Sequence, residues 1–291
     1  MSRITARAAI AVAGLLAAVL APLPATAAAP GAPLAFGLYE TGNSPPYSFP
    51  VTPAYDVQYY GWHERFQAAN AQAAWNAGTE IFAELQTCGN PCDESTSVPI
   101  ADVSDGTSDA YLTSFAEAVA AFGHPVMLTF DHEMNGGWYP WGDTEITPAQ
   151  WIAAWQYVTT LISSIAPNVT WVWAPNTESG AAPVARYWPG NGYASPNVDM
   201  IGLDGYFANS ASTWANTFAR SLADAESASG NQYPFIVAET GVPSADSNNV
   251  SQIDNLVAGA VSAHASALIY FDHSQWSFTA AGQAEFINDT G

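Results

Sequence analysis

Eight short apolar runs, separated by stretches with apolar residues every three or four positions, constrain the fold of this 291-residue chain more than anything else in it. The runs lie at 35–39, 56–60, 80–85, 126–131, 169–173, 199–203, 235–239 and 267–271. Each has the length of a buried strand, and the clearest intervening patterns, at 64–76, 108–122, 147–165, 212–227 and 250–263, have the period of amphipathic helices. Thr147-Pro148 opens the third as an N-cap followed by proline at the first helical position. No internal repeat, low-complexity linker or composition shift marks a second domain. Eight strands alternating with helices in one unit predict a single (β/α)8 TIM barrel. A doubly wound open sheet stays open as the alternative, because periodicity does not show closure.

The first residues read as a processing signal. Arg3 and Arg7 precede an apolar stretch at 8–20, and Ala25-Thr26-Ala27 is a small-x-small cleavage site. The stretch is shorter than the roughly 20 residues of a membrane helix. Residues 1–27 are therefore expected to be a secretory signal peptide and 28–291 the folded unit, secreted and without a membrane span. Export decides the cysteines: Cys88 and Cys92 bracket Gly89-Asn90-Pro91, so a disulfide pinning a surface loop is expected.

Charge excludes several function classes. All five cations are arginines, against 26 carboxylates, for a formal net charge of −21. Removal of the leader would take two of them. Without lysine there is no Walker-type phosphate ligand, no Schiff base and no Ser–Lys pair. So few cations also argue against a nucleic-acid partner and, with so strong a net charge, for a monomer. Eleven tryptophans fit either stacking on an uncharged, hydroxylated ligand or ordinary core filling.

In a parallel barrel the active site forms at the C-terminal strand ends. Here those ends carry Glu40, Tyr59 to His63, Glu84, Asp131 to Glu133, Asn176, Asp204 to Tyr206, and Glu239, with Trp276 shortly after the last run. Familiar nucleophile and metal motifs fail. His132-Glu133 has Gly136 where a zincin helix needs its second histidine, Gly190-Asn191-Gly192 lacks the third glycine of a dinucleotide loop, and no G-x-S-x-G elbow exists. The five histidines have no close ligand spacing, so no metal or cofactor is expected. Two glutamates remain at the ends of the fourth and seventh runs. A retaining glycosidase needs such a pair, roughly 5–5.5 Å apart across the scissile bond.

The segment Asp131-His132-Glu133-Met134-Asn135-Gly136-Gly137-Trp138-Tyr139-Pro140-Trp141-Gly142 resembles the acid/base signature of glycoside hydrolase family 26, β-mannanases and related β-glycanases on a (β/α)8 barrel. Trp171-Val172-Trp173-Ala174-Pro175-Asn176, Gly202-Leu203-Asp204-Gly205-Tyr206 and Ile236-Val237-Ala238-Glu239-Thr240-Gly241 follow in the family's order, over nearly all of 28–291. The resemblance implies that Glu133 is the acid/base and Glu239 the nucleophile. It implies that His132 binds beside the cleavage point, that Tyr206 holds the nucleophile, and that Asp204 lies near as a substrate or supporting ligand. Trp138 and Trp276 would wall the sugar rings. Asn176 fits a helix cap or a substrate ligand, and Trp62 and His63 fit a distal subsite or packing. At least one of Trp171 and Trp173 is expected in the barrel packing.

One departure bears on substrate. Many mannanases of the family carry an arginine shortly before the His-Glu pair, where this chain reads Leu128-Thr129-Phe130-Asp131. Phe36 to Tyr39 and Tyr59 to Trp62 resemble the branch acting on mixed-linkage β-glucan. The expectation is a secreted retaining endo-β-glycanase acting on a plant-type polysaccharide. An endo-1,4-β-mannanase comes first, with β-1,3-1,4-glucanase or β-1,3-xylanase as alternatives within the fold and a non-catalytic polysaccharide-binding barrel as the alternative of another class.

Overall fold

A computed structural model describes residues 34–40, 45–89 and 91–290; the expected signal peptide lies outside them. All eight expected strands form: β1 (Ala35–Glu40), β2 (Tyr55–Tyr60), β3 (Glu80–Leu85), β4 (Val126–Phe130), β5 (Val169–Trp173), β6 (Met200–Tyr206), β7 (Phe235–Gly241) and β8 (Ala267–Asp272). They pair in parallel in chain order, and β8 closes on β1 through six paired residues from Ala35↔Ala267 to Glu40↔Asp272. Closure decides for the barrel and against the open sheet.

Helices return the chain from most strands. α1 (Ala68–Ala77) follows β2, α2 (Ile100–Ser104) and α3 (Asp109–Phe122) follow β3, and α4 (Pro148–Ile165) follows β4. A 3-10 turn, Val184–Tyr187, lies between β5 and β6. α5 (Trp214–Thr217) and α6 (Ala219–Ser229) follow β6, α7 (Asn249–Ser262) follows β7, and α8 (Ala280–Thr290) follows β8. Thr147 caps α4 in a reciprocal box with Gln150, and α3 stops at Gly123 in the left-handed conformation. The pattern at 212–227, expected as one helix, is two. Thr213 and Asn216 close a box around the single turn of α5, and Phe218 then turns fully into the core and stacks on Trp214 with ring centroids 4.7 Å apart.

The core has two layers. Val57, Phe82, Met127, Val172, Met200, Ile236 and Ile269 belong to the cluster that fills the barrel interior. A larger cluster lies between sheet and helices. Trp171 and Trp173 flank the inward Val172 and pack outward, both buried, as expected for packing residues. Inside, Gly202 is forced to be glycine by proximity: a Cβ there would lie 2.8 Å from that of Ala238 and 2.9 Å from Val172 Cγ1.

Candidate active site

Strand parity sets which side chains look along the axis. Two residues beyond the interior layer, toward the C-terminal ends, stand Tyr59 on β2 and Glu84 on β3, paired in register; Asp204 on β6 lies four beyond Met200. By the same count on β7, Ile236 and Ala238 face in, and Glu239 would face out. The pairing with β6 passes from Leu203↔Val237 to Asp204↔Glu239, leaving Ala238 unopposed. This bulge turns Glu239 inward at the level of Asp204, as bulges beside active sites do.

β4 delivers its carboxylate by leaving the strand. Asp131 and Glu133 take φ of 47° and 52°, a conformation costing of order 1–3 kcal/mol that persists only where surroundings enforce it. Here they do. The Asp131 carboxylate accepts from the Thr87 amide at 2.8 Å and its hydroxyl at 2.9 Å. Trp151 Nε1 donates to the Asp131 carbonyl at 3.2 Å and Trp141 Nε1 to the His132 carbonyl at 2.7 Å. The Glu133 amide donates to the Ala174 carbonyl at 2.8 Å. Thr87 immediately precedes the Cys88–Cys92 disulfide, which forms as expected.

The two glutamates are buried and differently furnished. Glu239 accepts from the Tyr59 hydroxyl at 2.6 Å and from the Tyr206 hydroxyl in a very short contact. Glu133 accepts from Asn176 Nδ2, also very short, and from Trp138 Nε1 at 2.5 Å. Burial, with Glu84 and Glu133 beside it, pushes Glu239 up to about 7, against the pull of His132 and the Tyr206 hydrogen bond. Burial also raises Glu133, opposed by His132, Asn176 and Trp138. Asp204 is fully buried with neither carboxyl oxygen hydrogen-bonded, and burial followed by the charges of Glu239, Glu133 and Glu84 drives it well above the carboxylate range.

His132 sits among these acids. Its Nδ1 lies 2.9 Å from Glu84 Oε2, both residues 1% exposed, and its Nε2 lies 3.2 Å from the Tyr139 hydroxyl. Burial alone would lower its pKa; the Glu84 carboxylate, with Glu133 and Glu239 adding, raises it to about 9. Glu84, His132 and Glu239 bring three potential metal ligands within 4.8 Å.

Every site residue expected from the sequence therefore falls at one end of the barrel. Asn176, expected as a helix cap or a substrate ligand, donates from its side chain to Glu133, while Asn135 holds its backbone at both N–H and C=O. Trp138 is 50% exposed, with its indole N–H on the acid and its ring open. Trp276 tilts against Tyr206 with centroids 4.6 Å apart. Tyr59, Glu84 and Tyr139 were not singled out by the sequence reading. Parity from the strand ends would have found the first two.

A buried pair of carboxyls, both raised, one bonded by N–H donors and the other by two hydroxyl donors, suits proton donation to a leaving oxygen and attack on the carbon beside it. Residues 102–279 match the family model of glycosyl hydrolase family 26. The chain belongs to that family. The matched span holds Glu133, Glu239 and Tyr206 of this family 26 site but not Tyr59 or Glu84, which come from the first three strands. Over 169 residues, 55% of the chain, it is 29% identical to endoglucanase H of Acetivibrio thermocellus, of which it covers 17%. The chain thus spans under a fifth of that relative's length. Among solved structures, the catalytic domain of a family 26 endo-β-1,4-mannanase from Bacillus sp. JAMB-750 superposes with a TM-score of 0.67 at 15% identity, covering 89% of this chain and 86% of that one. A family 26 β-mannanase from Bacteroides ovatus gives 0.63 at 15%, covering 88% of each. A modular endo-β-1,4-mannanase from Cellulomonas fimi gives 0.64 at 17%, covering 88% and 70%. At these identities the likeness is one of fold.

Proposed function

We infer that the protein is a secreted, monomeric, retaining endo-β-glycanase that cuts internal bonds of a neutral plant-type polysaccharide. The observation that carries this is the unequal furnishing of two buried glutamates, Glu133 with its N–H donors and Glu239 with its two hydroxyls. In the first step Glu133 protonates the leaving glycosidic oxygen while a Glu239 carboxylate oxygen attacks the anomeric carbon from the opposite face, forming a glycosyl ester. Glu133, now a base, takes a proton from water, which displaces Glu239 with a second inversion. His132 as a cation keeps negative charge tolerable between the two carboxylates, and the half-exposed Trp138 ring offers a face to the sugar.

An endo-1,4-β-mannanase is the first reading. A second, mixed-linkage β-glucanase, is favoured by the sequence relative named as an endoglucanase and by Leu128 to Asp131 in place of the arginine-bearing segment. The leader at 1–27 supports secretion. Galactomannan, barley β-glucan and β-1,3-xylan, each incubated with the protein, test the proposal by release of reducing ends. Proton NMR of the first product should show the β anomer before mutarotation. An α product first would refute retention. Absence of reducing ends from all three would favour a polysaccharide-binding barrel instead.

A further inference from the structure

The loop between β3 and α2, residues 86–99, holds the strained turn that ends β4. Among the described residues, both hydrogen bonds that the Asp131 carboxylate accepts come from Thr87, one from its amide and one from its hydroxyl. Asp131 is fully buried and Thr87 nearly so, which keeps bulk water from either bond. The side-chain anchor of the turn that carries Glu133 is therefore one residue of a neighbouring loop. That loop has little else to fix it. Pro91, Asp93, Glu94 and Ser95 are exposed, and its described residues form no strand or helix. The Thr87 carbonyl accepts from the Val98 amide at 2.7 Å, and the next carbonyl, of Cys88, accepts from the Trp62 amide at 2.7 Å. Cys88 is fully buried and bonded to the half-buried Cys92. The bridged cysteines are only four positions apart, and the chain-entropy stabilisation of a disulfide is smallest for short loops. What the bridge fixes is the root of the loop, where Thr87 grips Asp131.

We propose that the Cys88–Cys92 disulfide positions Glu133 through Thr87 and Asp131, so that reduction by a dithiol slows the acid-assisted step while the barrel stays folded. This rests on the glycanase reading for the role of Glu133, and on the contacts above for the coupling. The dithiol supplies both electrons. One of its thiolates attacks the Cys92 sulfur, and the Cys88 sulfur leaves as a thiolate and takes a proton. The second thiol then displaces Cys92 as a thiol, and the reagent ends as a disulfide. Thr87, released on the Cys88 side, loosens its hold on Asp131, and Glu133 shifts from the leaving oxygen.

The test compares the oxidised protein with protein reduced by dithiothreitol and with the Cys88→Ala/Cys92→Ala and Thr87→Val variants. In 15N-labelled protein the indole N–H signal of Trp138 reports on Glu133, to which it donates, and Trp138→Phe identifies that signal. Trp75, stacked on His124 just before β4 begins, is the control at the other end of the barrel, identified by Trp75→Phe. The Trp138 signal should move or broaden in all three altered proteins while that of Trp75 stays. On galactomannan or barley β-glucan, kcat/KM should fall about tenfold, part of the roughly 10²–10⁴ that a positioned acid supplies. On the 2,4-dinitrophenyl β-glycosides of mannobiose and laminaribiose, whose leaving group needs no proton, it should fall less than about twofold. A merely structural loosening would lower both together. Thr87→Ser keeps the hydroxyl and should recover what Thr87→Val loses. A Trp138 signal that stays still, or equal losses on both kinds of substrate, would overturn the coupling and leave the glycanase reading standing. Loss of the Trp75 signal as well would show a bridge that holds the whole barrel, and would overturn the coupling too. A Trp138 signal that moves in a protein whose oxidised form cuts neither polysaccharide nor aryl glycoside would support the coupling and overturn the reading.

Discussion

A carboxylate that attacks carbon must be ionised when substrate arrives, and in a buried site that depends on donors. Glu239 has two, Tyr59 and Tyr206. Hydrogen bonds to charged groups contribute about 1.5–3 kcal/mol, so Tyr206→Phe should lower kcat/KM by roughly ten- to 150-fold. It should also move the acid limb to higher pH, because losing a donor raises a carboxyl already near 7; a limb that stayed or moved down would contradict the proposed role as nucleophile. Tyr59→Phe should act in the same direction. Trp138 separates two contributions that one side chain makes. Trp138→Phe keeps a ring for the sugar but removes the N–H that favours ionised Glu133, so the alkaline limb should rise with a modest loss of rate. Trp138→Ala should in addition lose stacking, on the order of 1–3 kcal/mol by buried area, and reduce kcat/KM by about ten- to a hundredfold. Equal kinetics for the two variants would place the residue outside the subsite.

The elements differ in how they present these groups. β4 ends in a left-handed turn that several partners hold, and β7 reaches the site through the bulge at Ala238. α4 packs beneath the first of these, its Trp151 donating to the Asp131 carbonyl. Losing its cap should cost stability without touching the chemistry. Thr147→Ala is expected to destabilise by about 1 kcal/mol, read as a lower urea midpoint at unchanged slope, with kcat preserved; an unchanged midpoint would show that the capping box adds nothing. The strands were legible because buried parallel strands are apolar through and through. The meeting of Glu133 and Glu239 in one site was legible because carboxylates end two of those runs and because the surrounding segments resemble family 26. The facing of Glu239 was not: alternation alone turns it outward, and an unopposed alanine leaves no mark in the sequence. α2, at five residues, is too short to show a period. Glu84 read as one strand-end acid among several, since its partner His132 is 48 positions away in sequence and meets it only through closure of the barrel.

At the scale of the molecule, net charge and buried acids act in the same direction. Glu239 and Asp131 are both raised to about 7, and Glu133 and Asp204 are raised as well, all with burial as the first cause. A carboxyl raised on folding makes the folded state the better proton binder, so stability falls as pH climbs from the unfolded value toward the folded one. His132, raised to about 9, contributes stability that is present below its unfolded value and lost as pH rises through 9. The Tm should therefore be higher near pH 5 than near pH 8, and Asp204→Asn should flatten the slope; a Tm that rises over this range would contradict the assigned shifts. The closed barrel brings carboxyls from β4 and β7, three strands apart, into one site, where the proposed mechanism has both act on one bond. That claim is tested most directly by giving the Glu133→Ala variant an aryl β-glycoside, whose leaving group needs no proton, together with sodium azide. Azide should restore turnover and yield the β-glycosyl azide, because Glu239 still forms the glycosyl ester and azide displaces it. Rescue with an α-glycosyl azide, or β-azide formed instead by Glu239→Ala, would contradict the assignment of the two roles.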